Sequence, residues 1–276
     1  MMILRSRAFL LKTGLTIFVL ALISISAYAF TSGPLFPYSP IKPGFAKLES
    51  EKAIIFYPDG TSLPEECLSI DSLIEETESF HKLEFNKKPK IIFCETSKQY
   101  KRFSTRTAHA CAIQTGDAIY INPSIYSSNR DLTGFFKHEL SHSIIYQNTS
   151  IFDALRLKSW LTEGMAVYYG NSHHYYRGNE LKELAIDREY FFNIFDDKAR
   201  PADMPKTIRY SYFYGLYGSF IGYLVDSHGL NVVMDFTAEY MKHPKKEGEI
   251  FKKIFGLSQE KILNEFRDKM SNEGFS

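Results

Sequence analysis

Two histidines four residues apart, His138 and His142, with Glu139 directly after the first, constrain this 276-residue chain more than any other feature. On an α-helix, residues i and i+4 lie on one face, so both imidazole rings can reach the same metal ion. Glu139 then lies about 100° around the helix axis, beside the position of a water on that metal. This spacing predicts a zinc site with two histidine ligands and a glutamate base; the alternative is a surface helix that carries two histidines by chance.

The residues around this pattern predict the helix that it requires. Asp131 is a suitable N-cap, because its carboxylate can accept hydrogen bonds from the free N–H groups of a first turn. Apolar residues follow at helical spacing, and these are Leu132, Phe135, Phe136, Leu140 and Ile144. We therefore expect a helix from about residue 132 that buries one face and presents both histidines.

A third ligand is expected further along the chain, because catalytic zinc takes three protein ligands and leaves one position for water. Glu163 follows His142 by 21 residues, which is enough to end the first helix, turn and return on a second one. An ordinary surface glutamate is the alternative. Trp160 before Glu163, and Gly164 and Ala166 after it, are not typical of a solvated helix face, so we predict that Glu163 is the third ligand.

These two motifs, His138 to His142 and Trp160-Leu161-x-Glu163-Gly164-x-Ala166, resemble those of gluzincin metallopeptidases, specifically the peptidase MA-like group related to aminopeptidase N. The similarity extends over roughly residues 85–270. It implies an enzyme that binds one zinc ion. It also implies an α+β, zincin-like fold, with a mixed-sheet amino-terminal lobe over a helical carboxy-terminal lobe and the metal between them.

The resemblance also implies a tyrosine that stabilises the transition state, four residues before a small residue. Tyr214 before Gly218 fits this spacing, and Tyr210, Tyr212 and Tyr217 are the alternatives in other registers. The Gly-x-Met-Glu-Asn segment with which aminopeptidases hold a substrate's amino terminus is not present. We therefore expect cleavage of internal peptide bonds, unless another carboxylate takes over that role. The candidates for such a substitute are Glu95 and Asp117.

The amino terminus has the composition of an export signal. Arg5, Arg7 and Lys12 precede an apolar run over residues 15–30, and Ala27-Tyr28-Ala29 fits the small-x-small pattern of a cleavage site. The run is also long enough to span a membrane, so residues 1–30 are either a signal peptide or a membrane anchor. A buried amphipathic helix is the third possibility. The chain is therefore expected in the cell envelope, the periplasm or the medium.

A proline-rich linker is predicted at residues 31–45, between this segment and a metallopeptidase-like domain at residues 46–276. Pro34, Pro37, Pro40 and Pro43 recur every third residue, which is the period of a polyproline II helix. Such a segment is expected to be a semi-rigid spacer that packs little against the domain.

Patterns of apolar residues predict an α/β half followed by a helical half. Strands are expected near residues 53–57, 90–95, 109–113 and 118–122, with helices at 63–83 and 97–103. Helices are expected at the two motifs and at 179–193, 214–226, 230–241, 249–255 and 258–270. The strand at 118–122 is predicted to be the sheet edge that pairs with an extended substrate.

Charge and cysteine content narrow the possible partners. A formal net charge of +1 with scattered basic residues does not favour a nucleic-acid partner. Cys94 and Cys111 lie in two strand-like runs that could be neighbours and could pair in an oxidising compartment, with Cys67 left free. Simple buried thiols are the alternative.

The function expected from the sequence is zinc-dependent hydrolysis of peptide bonds outside the cytoplasm, on extended peptide or protein segments. His138, His142 and Glu163 would bind the zinc ion, Glu139 would be the general base, and Tyr214 would donate to the developing oxyanion. A non-catalytic metal-binding or adaptor module of the envelope is one alternative. A zinc hydrolase of a non-peptide amide, such as a cell-wall linkage, is the other.

Overall fold

A five-stranded mixed sheet forms the first half of the domain in the computed structural model, which describes residues 2–127, 131–171 and 175–273. The strands are β1 (Phe45–Glu49), β2 (Ile54–Pro58), β3 (Lys90–Phe93), β4 (Ala110–Ala112) and β5 (Ala118–Ile121). Their order is β1-β2-β3-β5-β4, with β2, β3 and β5 parallel and the two outer pairs antiparallel. Most of the remaining chain is helical, so the prediction of a mixed α+β fold is confirmed.

The helices follow in the predicted order. They are α1 (Met2–Ser32), α2 (Ile70–His81), α3 (Ser97–Ser104), α4 (Ser124–Ser127), α5 (Leu132–Gln147), α6 (Ile151–Ala154), α7 (Ser159–Gly170), α8 (Gly178–Lys182), α9 (Lys206–His228), α10 (Leu230–Lys242), α11 (Glu247–Phe255) and α12 (Gln259–Glu273). The helix predicted at 179–193 is present only in its first part, because α8 continues as one π-helical turn, Glu183–Asp187, and stops there. The chain there leaves helical geometry at Glu189, whose φ is +59°, and then buries Phe192, Ile194 and Phe195 along an irregular path.

The outer strand on the side of the two histidines is β4, so the prediction that residues 118–122 form the sheet edge is wrong. A tight turn returns the chain from β4 to β5, and β5 then lies between β3 and β4. Gly116 makes this turn possible: its φ is +69°, and a Cβ there would stand 2.5 Å from the Ser143 carbonyl oxygen. Ser143 and Gln147 both donate side-chain hydrogen bonds to the Gly116 carbonyl, which ties the hairpin to α5.

Apolar side chains cover both faces of the sheet. One face packs on α2 and α5 through residues such as Ile91, Ile119 and Phe136, and the other packs on α3 through Tyr100 and Phe103. Burial on both faces explains why β5 is a continuous apolar run rather than an alternating one. A separate core of large aromatic residues fills the helical half. Trp160, Phe195, Phe220, Phe236 and Phe251 lie at its centre.

The proline-rich segment packs against the domain, so the prediction of a spacer with few contacts is wrong. Phe36 is fully buried and stacks on Phe103, with ring centroids 4.4 Å apart. Residues Phe36–Tyr38 form a short 3-10 helix. The Lys90 Nζ donates to the Pro37 carbonyl. Proline spacing indicates where a chain is stiff, but the buried area offered by Phe36 decides where this segment lies. The domain boundary at residue 46 stays a prediction.

Helix α1 contains a long apolar segment that is not buried. Its segment Lys12–Ser32 has 21 residues and a mean hydropathy of 2.0, and none of it is buried. This is long and apolar enough to cross a membrane, and it is compatible with either a signal segment or an anchor. A buried amphipathic helix, the third possibility, is excluded because its apolar side chains face outward.

All three cysteines are free thiols in the structure. Cys94 follows β3 and Cys111 lies in β4, and β5 separates these two strands. Strands that flank a common neighbour are about 10 Å apart, which is beyond the reach of a disulfide. The interpretation of Cys94 and Cys111 as neighbours is therefore wrong.

Candidate metal centre

Helix α5 carries His138, Glu139 and His142 with all three side chains buried. Asp131 caps the helix as predicted, because its Oδ1 accepts a hydrogen bond from the Gly134 amide at 3.0 Å. Leu132, Phe136, Leu140 and Ile144 pack inward, as the spacing predicts. The buried location of the histidines excludes the alternative of a surface helix with two histidines by chance.

The structure brings the two histidines and Glu163 together at one point. The Nε2 atoms of His138 and His142 are 3.2 Å apart, and the Oε2 of Glu163 lies 3.2 Å from the second and 3.5 Å from the first. A tetrahedral zinc site with bonds of about 2.0 to 2.1 Å separates its ligand atoms by about 3.3 Å. The three atoms are therefore spaced as zinc ligands are, and their chemistry, two imidazoles and a carboxylate, fits the same ion.

The pKa values of Glu163 and His142 reflect this crowding. Burial acts to raise the pKa of Glu163, but His142 and His138 hold it well below its usual range. Burial acts to lower the pKa of His142, and the negative charges of Glu163 and Glu139 raise it overall. The Nδ1 atoms of both histidines are buried and have no hydrogen-bond partner among the described residues. The two Nε2 atoms and the Glu163 carboxylate, which converge on one point, form a set that a cation can satisfy.

Glu139 is held in place by the edge strand. Its Oε2 accepts a hydrogen bond from the Ala112 amide of β4 at 2.6 Å. The contact joins residues 27 apart in sequence, and it depends on the β4–β5 hairpin that Gly116 fixes against α5. The sequence gives no indication that Ala112 contacts Glu139, because the contact is made by a backbone amide and does not depend on the type of side chain.

Two glycines explain how a tyrosine reaches the site. A Cβ at Gly164 of α7 would lie 2.8 Å from the Tyr217 carbonyl oxygen, and one at Gly218 of α9 would lie 2.5 Å from Val167 Cγ1. The two helices therefore cross with their backbones almost in contact. Tyr214, one turn before Gly218, faces the metal centre, with its ring 6.4 Å from that of His138. Burial first, and then the charge of Glu163, raise the pKa of the Tyr214 hydroxyl.

The other tyrosines of this segment have different positions. The Tyr212 hydroxyl donates to the Tyr190 carbonyl, and Tyr217 is buried in the aromatic core. Tyr210 is exposed at the rim of the cleft. Two tyrosines that sequence analysis missed also reach the centre: the Tyr175 ring lies 6.1 Å from His138, and the Tyr146 ring lies 5.9 Å from His142.

A cleft of about 560 Å³ opens over the three ligands and Glu139. Residues 106–112, which include β4, form one wall, and aromatic residues form much of the rest. These are Phe135, Tyr146, Tyr175, Tyr210 and Tyr214. Neither Glu95 nor Asp117, the two candidate substitutes for an amino-terminus anchor, lines this cleft. A larger cavity of about 740 Å³ beside Tyr168 and Gly222 contains none of the predicted site residues.

Comparisons with known proteins give a distant likeness. No family model matches the chain, and no curated protein sequence matches it. Among solved structures, the chain is similar to a mutant M1 zinc metallopeptidase from Deinococcus radiodurans bound to a Tyr-Ser-Ala substrate, with a TM-score of 0.42 and 15% identity. The match covers 81% of this chain and 51% of that one, so the chain spans about half the length of that protein. The function proposed below depends on the site itself.

Proposed function

We propose that this protein is a zinc-dependent endopeptidase that acts outside the cytoplasm on extended peptide or protein segments. One observation carries the proposal: three ligand atoms lie 3.2 to 3.5 Å apart in a cleft. A buried glutamate on the same helix and the partly buried Tyr214 accompany them. Location outside the cytoplasm rests on the export-type segment at residues 1–30, and the gluzincin assignment rests on the motifs.

His138, His142 and Glu163 would hold the ion, and the rest of the chemistry belongs to their neighbours. When bound, zinc supplies a Lewis acid that polarises the peptide carbonyl and makes water a better nucleophile at neutral pH. Glu139 takes the proton of the attacking water and later gives it to the leaving amine. The Ala112 amide holds Oε2 of Glu139, which fixes the carboxylate and leaves its second oxygen for proton transfer. Tyr214 donates a hydrogen bond to the oxyanion.

The edge strand β4 is the proposed platform for the substrate backbone. Residues of β4 alternate, so Cys111 pairs with β5 while the N–H and C=O of Ala110 and the C=O of Ala112 point outward along the cleft wall. An extended segment that pairs with this edge gains affinity from main-chain hydrogen bonds with little sequence preference. The aromatic wall then selects side chains.

Glu139→Gln tests the proposed base. We expect hydrolysis of an unfolded protein to fall by about a hundred- to ten-thousandfold, because the amide cannot accept the proton. Zinc content, measured on the purified chain, is expected to stay at one ion. Glu183→Gln, a surface substitution, is the matched control and should retain the full rate. An unchanged rate in Glu139→Gln would refute the mechanism, and zinc binding without turnover in the natural chain would favour a non-catalytic module.

Acetylated peptides test the endopeptidase assignment. No carboxylate other than Glu139 and Glu163 lines the described part of the cleft, so a substrate's ammonium group has no partner of its own. A buried ammonium without a partner costs several kcal/mol, so binding through the amino terminus is unfavourable. We therefore expect acetylation of the substrate to leave the rate unchanged. A strong loss of rate would identify an aminopeptidase instead.

A further inference from the structure

The junction between α1 and the domain is short and rigid. Gly33 packs against the backbone of Ala29, and the Leu35 amide donates to the Ala29 carbonyl, so the chain folds back as soon as the helix ends. Phe36, only four residues after Ser32, is fully buried against Phe103 of α3. Four residues span at most about 14 Å. A membrane crossed by α1 would therefore lie directly against the domain.

The surface around this junction has the composition of a membrane interface. Leu35 and Ile41 are 41% and 62% exposed although both are apolar. Helix α3, which contacts α1, carries Lys98, Lys101 and Arg102 with exposed side chains and has no acidic residue. None of these three forms an ion pair with another described residue. Apolar side chains beside a row of basic ones are what anionic headgroups attract and accommodate.

The wall of the cleft begins close to the end of α3. Helix α3 ends at Ser104 with Thr105 as its C-cap, and residues 106–112 line the cleft. Inside α3, Tyr100 lies one turn from Phe103, beside the Cys111 thiol and within electrostatic range of Glu139. Phe36, Phe103, Tyr100 and Cys111 thus connect the end of α1 to the catalytic glutamate through packed side chains.

We infer that α1 is retained as a membrane anchor and that Leu35, Ile41, Lys98, Lys101 and Arg102, the membrane seat, rest on the anionic headgroups of the bilayer that α1 spans. The seat holds the mouth of the cleft close to the lipid surface. This deepens the proposed function, on which its second part rests: the substrates are peptide segments that lie near the same membrane. Proteins free in solution are not the preferred substrates.

Fluorescence quenching tests the seat directly. The full chain is placed in nanodiscs of phosphatidylcholine and phosphatidylglycerol, with lipids brominated near the top of the acyl chains. Tryptophan is introduced at the seat in Leu35→Trp and Ile41→Trp, and Leu155→Trp, an exposed leucine directly after α6, is the control. We expect loss of the added fluorescence at positions 35 and 41 and none at 155. Equal quenching at the three positions, or quenching at none, would overturn the proposal.

Charge reversal tests the basic half of the seat. In the natural chain, hydrogen exchange over residues 97–104 should be slower in nanodiscs that contain phosphatidylglycerol than in phosphatidylcholine alone. The triple substitution Lys98→Glu, Lys101→Glu and Arg102→Glu should remove this difference. Lys252→Glu with Lys253→Glu, on the exposed face of α11, should leave it intact. If hydrogen exchange over residues 97–104 of the natural chain is the same in both kinds of nanodisc, these residues do not bind anionic headgroups.

Two further measurements separate the parts of the proposal. The intact mass of the chain purified from its membrane should include α1, and a chain that begins near Phe30 would refute retention. Peptides tethered to lipid by a short spacer should be cleaved faster than the same peptide in solution. Equal rates would refute the substrate class. If no peptide is cut in either form, the proposed hydrolysis fails, while the quenching result still decides the seat.

Discussion

Two carboxylates at helix α7 differ in their surroundings: the buried Glu247 of α11 packs against it, and the partly buried Glu163 belongs to it. Glu247 accepts hydrogen bonds from Trp160 Nε1 at 2.7 Å and from Lys158 Nζ at 2.5 Å, both near the start of α7. Glu163, less than one turn further along α7 than Trp160, faces the Nε2 atoms of two histidines. In the first cluster the negative charge has a lysine and an indole N–H as donors. In the second, three potential ligands converge and both histidine Nδ1 atoms have no partner among the described residues.

The hydrogen-bond partners of the two carboxylates distinguish a polar cluster that stabilises the fold from a site that needs a ligand. A buried carboxylate with matched donors stabilises the fold and requires nothing further. A group of acceptors that face one another is costly until a cation joins it, so its stability depends on what it binds. The same type of residue, in contact with or part of the same helix, therefore has different consequences when it is changed.

Identical substitutions of the two glutamates give the largest expected contrast. Glu163→Gln removes a ligand, and we expect zinc affinity to fall by more than about a hundredfold, the loss that changes outside the ligand shell already cause. Hydrolysis should disappear with the metal. Glu247→Gln should keep one zinc ion per chain. Metal analysis and titration with a chelator measure both, and equal zinc content in the two variants would break the comparison.

A pair of tyrosines on α9 provides a second test of the comparison between the candidate metal centre and its surroundings. Tyr214→Phe should lower kcat by about a hundred- to a thousandfold, the usual loss for one oxyanion donor, while zinc content stays the same. Tyr212→Phe is the matched control, because its hydroxyl serves only the Tyr190 carbonyl among the described residues. That variant should retain its kcat and lose about 1 kcal/mol of unfolding free energy. Normal turnover in Tyr214→Phe would exclude it as the donor.

The effect of changing Glu247 is measured as a change in the free energy of unfolding. Glu247→Gln removes the charge that pairs with Lys158 and weakens the acceptor for Trp160, which is fully buried. We expect a loss of about 2 to 4 kcal/mol in the free energy of unfolding. Denaturant melts of the metal-free chains provide the measurement. Glu163→Gln in the same assay should lose less, and a larger loss there would reverse the interpretation of the two clusters.

His81, at the end of α2, is a buried polar side chain of a third kind, with no hydrogen-bond partner for either ring nitrogen among the described residues. Burial first, and then His142, lower its pKa to about 3 from 6.5. Between these values the unfolded chain binds a proton that the folded chain does not, so stability falls as pH falls below 6.5. From pH 7 to 5 the expected loss is about 2 kcal/mol.

A pH series of chemical melts checks this small effect. The natural chain is compared with His81→Leu, which carries no titratable group at this position. The loss of stability between pH 7 and 5 should be smaller in the variant by about the stated amount. If the natural chain and His81→Leu lose the same stability between pH 7 and 5, His81 is protonated in the folded protein. The loss of stability attributed to its burial without a partner would then be refuted.

Much of the site and most of the elements could be predicted from sequence because their signals are local. The helical spacing of His138 and His142 and the cap at Asp131 need only the geometry of one helix. The position of Glu163 beside the two histidines could be predicted because a catalytic zinc site would need a third ligand within reach. The errors occurred where several segments compete for the same space. Phe36 packs under α3, and residues 190–195 pack against the aromatic core instead of continuing a helix.

What the sequence determined by itself is the chemical set: two imidazoles, a carboxylate and a nearby base, together with an apolar amino-terminal helix. Only the tertiary structure decided how these groups meet. It placed β4 at the edge of the sheet, so that the Ala112 amide holds Glu139. It also brought Tyr214 to the metal centre through the contact of Gly164 and Gly218 with the opposite helix. Backbone amides and close helix crossings act across long separations in sequence, and side-chain patterns do not record them.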